Sequence, residues 1–124
     1  MAYDETLAIR IDKALSGVPN VEQKNMFGGA AFMVRKHMCV GVVNDMLMAR
    51  VGPDQYEDCL KEKHAKEMMF TGKPMKGMIY VDPDGISTEV QLTNWIEKCL
   101  YFISKLPDKK ENQKRNKKYF ATQF

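Results

Sequence analysis

Four short apolar runs follow one another between residues 21 and 51, and they constrain the fold more than any other feature of the sequence. The runs are Val21 to Phe27, Ala30 to Arg35, Met38 to Val43 and Met46 to Val51. Only two residues separate each run from the next, and they are mostly glycine, asparagine or charged residues. Connections this short join antiparallel neighbours, whereas a parallel pair needs a crossover of about a dozen residues or more. The segment therefore predicts an antiparallel meander.

Helical patterns stand on both sides of this meander. Asp4 can cap a first helix, and Gly17 and Pro19 are expected to end it. Pro53 suits the first position of a second helix, since proline lacks the N–H that would stay unpaired there. We expect a helix at each of these places.

A further strand pair and a longer helix complete the chain. The strands are expected at about Ala65 to Phe70 and Met75 to Val81, before a type I turn at Asp82-Pro83-Asp84-Gly85. Thr88 and Gln91 form a capping-box pattern ahead of a long apolar stripe that Pro107 closes. Together these patterns predict an α+β fold with two layers, a mostly antiparallel sheet and helices packed on one of its faces.

The charge divides the chain into a body and a tail. The net charge is +3, but residues 108–124 alone hold six basic residues against two acidic ones. That segment has too little apolar content to pack before its last few residues, where Tyr119 and Phe120 appear. We expect one domain over residues 1–107, which is long enough to form its own core, and a flexible basic C-terminal tail over residues 108–124.

The sequence offers no sign of export or membrane insertion. Its apolar stretches are far shorter than the roughly 20 residues that cross a bilayer, and its first residues are acidic, unlike a secretory signal. The three cysteines, Cys39, Cys59 and Cys99, include no close pair and are expected to be reduced thiols. We expect a soluble cytoplasmic protein that does not bind membranes.

Common catalytic and ligand-binding patterns are missing from the sequence. The two histidines, His37 and His64, have no neighbour at ligand or triad spacing, and no Gly-x-Ser-x-Gly motif occurs. The only glycine pair, Gly28-Gly29, lacks the spacing of a nucleotide-binding loop. We therefore expect no enzymatic activity, no catalytic residues, no cofactor and no metal.

Four residues are the candidate contacts for a partner or an anion. Arg50 and Lys76 are cations within otherwise apolar strand segments, and Lys24 and Tyr80 have similar settings. Cations on the polar face of a half-buried sheet are ordinary. If the four side chains converge, however, they would form a small site for an anion or an acidic partner.

An ordered series of short blocks resembles the N-terminal domain of the TfoX (Sxy) competence-regulator family. The first blocks are Asn25-Met26-Phe27-Gly28-Gly29, Ala31-Phe32-Met33, Met38-Cys39-Val40-Gly41-Val42 and Leu47-Met48-Ala49-Arg50-Val51-Gly52-Pro53. Further on stand Phe70-Thr71-Gly72-Lys73-Pro74-Met75-Lys76-Gly77 and Tyr80-Val81-Asp82. With the flanking helices, the resemblance covers about residues 3–107.

The resemblance implies a bacterial regulatory module with a two-layer fold of helices against a mostly antiparallel sheet. Family members linked to DNA uptake regulate competence genes positively, through other transcription machinery and without enzymatic activity, and carry a second, helical domain. We expect this chain to be a stand-alone form of the N-terminal domain that binds an unidentified protein or a second copy of itself. The alternative is a nucleic-acid-associated accessory protein that binds weakly through the basic tail.

Overall fold

The computed structural model describes residues 3–26, 28–70 and 72–107 of the chain. Within these residues it contains three α-helices, six β-strands and one 3₁₀ turn. In chain order they are α1 (Glu5–Ala14), β1 (Val21–Met26), β2 (Gly29–Val34), β3 (His37–Val43), β4 (Met46–Arg50), α2 (Pro53–Leu60), β5 (Ala65–Phe70), β6 (Lys73–Val81), the 3₁₀ turn (Pro83–Gly85) and α3 (Glu89–Ser104). The tail expected over residues 108–124 lies outside the described residues.

All six strands belong to one antiparallel sheet, in the order β1-β2-β3-β4-β6-β5. The predicted meander is confirmed for β1 to β4. The next strand along the chain, β5, lies at the sheet edge, and β6 pairs with β4 instead. Charged Lys66 and Glu67 suit an edge strand, because charge there discourages pairing with other chains.

Local hydrogen bonds explain where the helices begin. The Asp4 carboxylate accepts from the backbone N–H groups of Thr6 and Leu7 at 2.9 and 3.2 Å, which caps α1. At the start of α3, Thr88 and Gln91 bond reciprocally between side chain and backbone, at 3.0 and 3.1 Å. Both predicted caps are confirmed, as is Pro53 in the first turn of α2.

The predicted start of β6 was wrong by two residues. The strand begins at Lys73, before the proline, because Pro74 pairs opposite Met69 and Lys73 opposite Phe70. The pairing of β5 with β6 shifts register between Glu67 and Met69, which accommodates this longer hairpin. The turn between the strands is correspondingly shorter than expected from the sequence.

The helices cover one face of the sheet and form the larger core with it. This first cluster includes Leu7 and Ile11 of α1, Tyr56 of α2, and Trp95 and Ile103 of α3, packed on the inward side chains of β2, β3, β4 and β6. The predicted two-layer α+β architecture is therefore confirmed. Among the described residues, no helix is long and apolar enough to cross a membrane.

The opposite face of the sheet carries a second, smaller cluster built from strand residues. Its buried members are Ala31, Met33, Met38, Met48, Met68 and Met78. Met75 and Tyr80 pack against it while remaining partly exposed. Most of the methionines thus fill a core, as the sequence indicated, and their flexible side chains suit a face without a covering helix in the described chain.

Candidate functional site

Arg50 lies at the end of β4 and is held by two contacts. Its Nη1 donates to the carbonyl oxygen of Met38 at 3.2 Å, and its guanidinium carbon lies 5.3 Å from the centre of the Phe102 ring. Both contacts join β4 to neighbouring elements, the first to β3 and the second to α3. The structure therefore gives Arg50 a packing role at this end of the sheet.

The other three sequence candidates are spread over the sheet. Lys24 lies opposite Ala31 on the edge strand β1, and Tyr80 lies opposite Met48 on β6. Lys76 is exposed, next to Gly77, whose φ is 93°. Lys24 and Lys76 are four strand positions apart, or roughly 19 Å along a flat sheet at about 4.8 Å per step. The structure thus does not place the four residues around one site.

A turn between β2 and β3 holds the C-terminal end of α3. Arg35 donates through Nη2 to the carbonyl oxygens of Ile103 and Leu106, at 2.5 and 3.2 Å. The ring of His37, which is buried, bonds through Nε2 to the carbonyl oxygen of Pro107 at 2.7 Å. These donors face the negative end of the helix dipole, and they hold Pro107 against the turn. Sequence reasoning missed this arrangement, because it joins residues about 70 positions apart in the chain.

The outward face of α3 exposes two large apolar side chains. Val90 is 70% exposed and Tyr101 is 56% exposed. Eleven residues of helix separate them, which is close to three full turns, so they lie on the same side at about 16 Å spacing. Exposed Glu97 lies between them on this side. We call Val90, Glu97 and Tyr101 the α3 outer stripe.

A cleft opens between the end of α2 and the N-terminal half of α3. It has a volume of about 380 Å³ and is lined by Glu62, Lys63, His64, Gly85, Gln91, Asn94, Trp95 and Lys98. We call it the α2–α3 cleft. Its lining combines an indole, an imidazole, amides and charged groups, so polar side chains outnumber the apolar surface that Trp95 supplies. The sequence pattern did not predict it, because its two walls are about 30 residues apart in the chain.

The three cysteines are all buried on the helix-covered side of the sheet. Burial raises the pKa of the Cys99 thiol well above its ordinary value, and a hydrogen bond with Cys39 raises it further. Burial also raises the pKa of the Cys59 thiol, although the nearby Lys98 charge opposes this shift. A protonated, buried thiol is a poor nucleophile. Within the described residues, no group of histidine, cysteine and acidic side chains could hold a metal ion.

Comparison with known proteins gives one match. The family model described as the TfoX N-terminal domain matches residues 13–103, which covers the sheet, α2 and nearly all of α3. No curated protein and no solved structure matches the chain.

Proposed function

Because the chain belongs to the TfoX N-terminal domain family, we propose that it is a cytoplasmic regulatory module that acts by binding another protein, without enzymatic activity. The observation that carries this proposal is the pair of exposed apolar side chains on the α3 outer stripe, Val90 and Tyr101. We further propose that the process regulated is the expression of competence genes, through a component of the transcription machinery.

The chemistry of the stripe suits a protein surface better than a small molecule. Tyrosine offers a large, rigid contact area with a polar tip, and such residues are enriched where proteins meet. The Tyr101 ring also lies 4.6 Å from the Lys105 ammonium group, which leaves an aromatic and a cation side by side. An amphipathic partner helix could lay its apolar face along this stripe.

The test compares capture of partners by the wild-type chain and by a Val90→Glu/Tyr101→Glu variant. Both substitutions place a carboxylate in an interface that excludes water, so we expect at least a tenfold loss of the captured partner. Partners are captured from bacterial lysate after nuclease treatment and identified by mass spectrometry. Size measurement of the purified protein shows separately whether a second copy occupies the stripe.

Met69→Glu is the matched control. Met69 is 50% exposed, but it lies on the edge strand β5, away from α3. Its substitution replaces one exposed apolar side chain with one carboxylate, as each of the two stripe substitutions does at its own position. The proposal fails if the two variants lose the partner equally, or if the stripe variant retains it fully.

A second proposed function is nucleic-acid binding through the basic tail. The position of Pro107, just after α3, favours it. The bond between His37 and Pro107 holds the last described residue beside a basic turn that contains Arg35 and Lys36. Positive charge from the turn and the tail would then act together on phosphate groups. We expect salt-sensitive binding of a DNA or RNA oligonucleotide that is lost when residues 108–124 are deleted. Binding that ignores salt or survives the deletion would reject this function.

A further inference from the structure

The backbone of His64 fixes one wall of the α2–α3 cleft. His64 has a φ of 75°, a left-handed conformation that few residues other than glycine and asparagine adopt readily. Its carbonyl oxygen accepts from the backbone N–H of Asp82 at 2.9 Å. Its side chain packs against Gly85, where an added Cβ would lie only 2.9 Å from the His64 Cβ. The backbone and Cβ of His64 therefore lie against the turn that precedes α3.

Trp95 and Lys98 form the opposite wall, on one side of α3. Trp95 is only 6% exposed, so its ring is a fixed surface. The Lys98 ammonium group lies 5.9 Å from the centre of that ring. The Lys98 carbonyl oxygen accepts from the Gln55 side chain at 3.0 Å, which ties this part of α3 to α2. The backbone of each wall is thus bonded to a neighbouring element.

Several polar groups in the cleft lack partners within the described chain. The side chains of Lys63, His64 and Asn94 make no hydrogen bond or ion pair there, and neither does the Lys98 ammonium group, which lies over the indole and near Cys59. Two lysines and a histidine face a single acidic residue, Glu62. Unpartnered donors that converge beside an aromatic surface offer hydrogen bonds to a negatively charged group.

We infer that the α2–α3 cleft binds a small organic anion. Its carboxylate or phosphate group accepts hydrogen bonds from Lys63, His64 and Lys98, and a compact apolar part rests against Trp95. The volume of about 380 Å³ suits a small metabolite. This site does not include Val90, Glu97 or Tyr101, so it is independent of the proposed protein-binding stripe. Ligand binding would couple α3 to the turn at Gly85.

Trp95 is the only tryptophan of the chain and reports on the cleft directly. The purified full-length protein is titrated with benzoate, with phenyl phosphate and with neutral benzamide, and the emission of Trp95 is followed. We expect a saturable change with at least one of the two anions and none with benzamide. The stronger of the two anions identifies the ligand as a carboxylate or a phosphate. No saturable change with either anion, or an equal change with benzamide, overturns the inference.

Two variants test the groups that we assign to the anion. His64→Asn removes the imidazole but keeps a residue that tolerates the left-handed backbone, and Lys98→Gln removes one charge. Each should weaken anion binding by about tenfold, the usual effect of losing one charge-assisted hydrogen bond. Calorimetry measures the affinity, since Lys98→Gln alters the surroundings of Trp95 itself.

Lys61→Gln is the matched control. Lys61 is an exposed lysine next to the cleft but outside its lining, paired at 4.0 Å with Asp58. The Lys61→Gln variant should bind the anion with the same affinity as the wild type. Circular dichroism confirms that all three variants are folded. Affinity unchanged in both His64→Asn and Lys98→Gln, or an equal loss in Lys61→Gln, contradicts the assigned site.

Discussion

Gly52 precedes α2 in a conformation and a space that only glycine fits. Its φ is 84°, and a Cβ added there would lie 2.2 Å from a carbon of the Phe102 ring. Gly72 has a similar φ of 81°, but an added Cβ would meet open space. The pair therefore separates backbone strain, which the two positions share, from a steric clash, which affects Gly52 alone.

We expect Gly52→Ala to destabilise the protein much more than Gly72→Ala. The left-handed conformation costs alanine about 1–2 kcal/mol at either position. Displacement of Phe102, which also packs under Arg50, should raise the total at Gly52 to about 3 kcal/mol or more. Urea unfolding of the two variants measures the difference. Equal losses would mean that Phe102 moves aside at little cost.

Tyr56 carries a buried hydroxyl that finds no hydrogen-bond partner among the described residues. Burial raises the pKa of this hydroxyl, and the negative charges of Glu67 and Glu57 raise it further. An unpaired buried hydroxyl costs about 1–3 kcal/mol, whereas phenylalanine fills the same space without it. Tyr56→Phe should therefore be at least as stable as the wild type, and roughly 1 kcal/mol more stable at pH 8.

The raised pKa also gives this variant a pH signature. The folded state holds the Tyr56 proton more tightly than the unfolded state, whose tyrosines titrate near about 10. The stabilisation is present below that pH and is lost as pH rises through the folded-state pKa. Urea unfolding at pH 8 and pH 10.5 should show a smaller loss in Tyr56→Phe than in the wild type. A variant less stable than the wild type at pH 8 would mean that the hydroxyl is bonded.

At the scale of elements, α3 depends on the capping box at its first turn. Thr88→Ala removes the acceptor for the Gln91 backbone N–H and should lower the free energy of unfolding by about 1 kcal/mol. Thr88→Ser keeps a hydroxyl in the same position and should stay within about half of that loss. Thermal unfolding followed by circular dichroism compares them. If serine is as damaging as alanine, the threonine methyl group, and not the cap, stabilises the helix.

The elements themselves were predictable because their signals are local. Asp4, Pro53 and Thr88 act on backbone groups within one helical turn, and short breaks forced β1 to β4 into an antiparallel meander. The sheet order β4-β6-β5, in which β6 and not β5 pairs with β4, was not predictable from the sequence pattern. A hairpin can join a sheet by either strand, and the choice depends on burial of Ile79 and Val81 against α2 and the helix-covered core.

The candidate sites also divide into features that local sequence signals predict and features that depend on tertiary packing. Periodicity placed the apolar stripe of α3 toward the core, and Val90 and Tyr101 fall outside that stripe, so their exposure was readable from the sequence. The α2–α3 cleft was not readable, because His64 and Trp95 meet only after the sheet and all three helices are assembled. The charge of Arg50 led to the prediction that it contacts an anion or a partner. Its contacts with Met38 and Phe102 instead depend on how β3 and α3 pack beside the end of β4.

The whole molecule is one sheet with a core on each face, and this arrangement makes the two cores interdependent. Met48 is fully buried in the second cluster, while its neighbours Leu47 and Ala49 are fully buried in the first. Strand β4 therefore cannot leave one core without leaving the other. Because β2 and β6 alternate between the clusters in the same way, and β3 contributes to both, we expect the described domain to unfold in a single transition.

Met48→Ala tests this coupling, because it removes side-chain volume from the face opposite Trp95. Replacement of a buried methionine by alanine lowers the free energy of unfolding by about 2–5 kcal/mol. Met69→Ala, at an exposed position, should lower it by less than about 0.5 kcal/mol. Urea unfolding is followed by Trp95 emission, which reports the helix-covered core, and by circular dichroism, which reports the whole domain. Both probes should give the same lowered midpoint for Met48→Ala. If Trp95 kept its wild-type midpoint while the circular dichroism shifted, the second cluster would be an independently melting layer, because a shared β-strand would then fail to transmit the loss across the sheet.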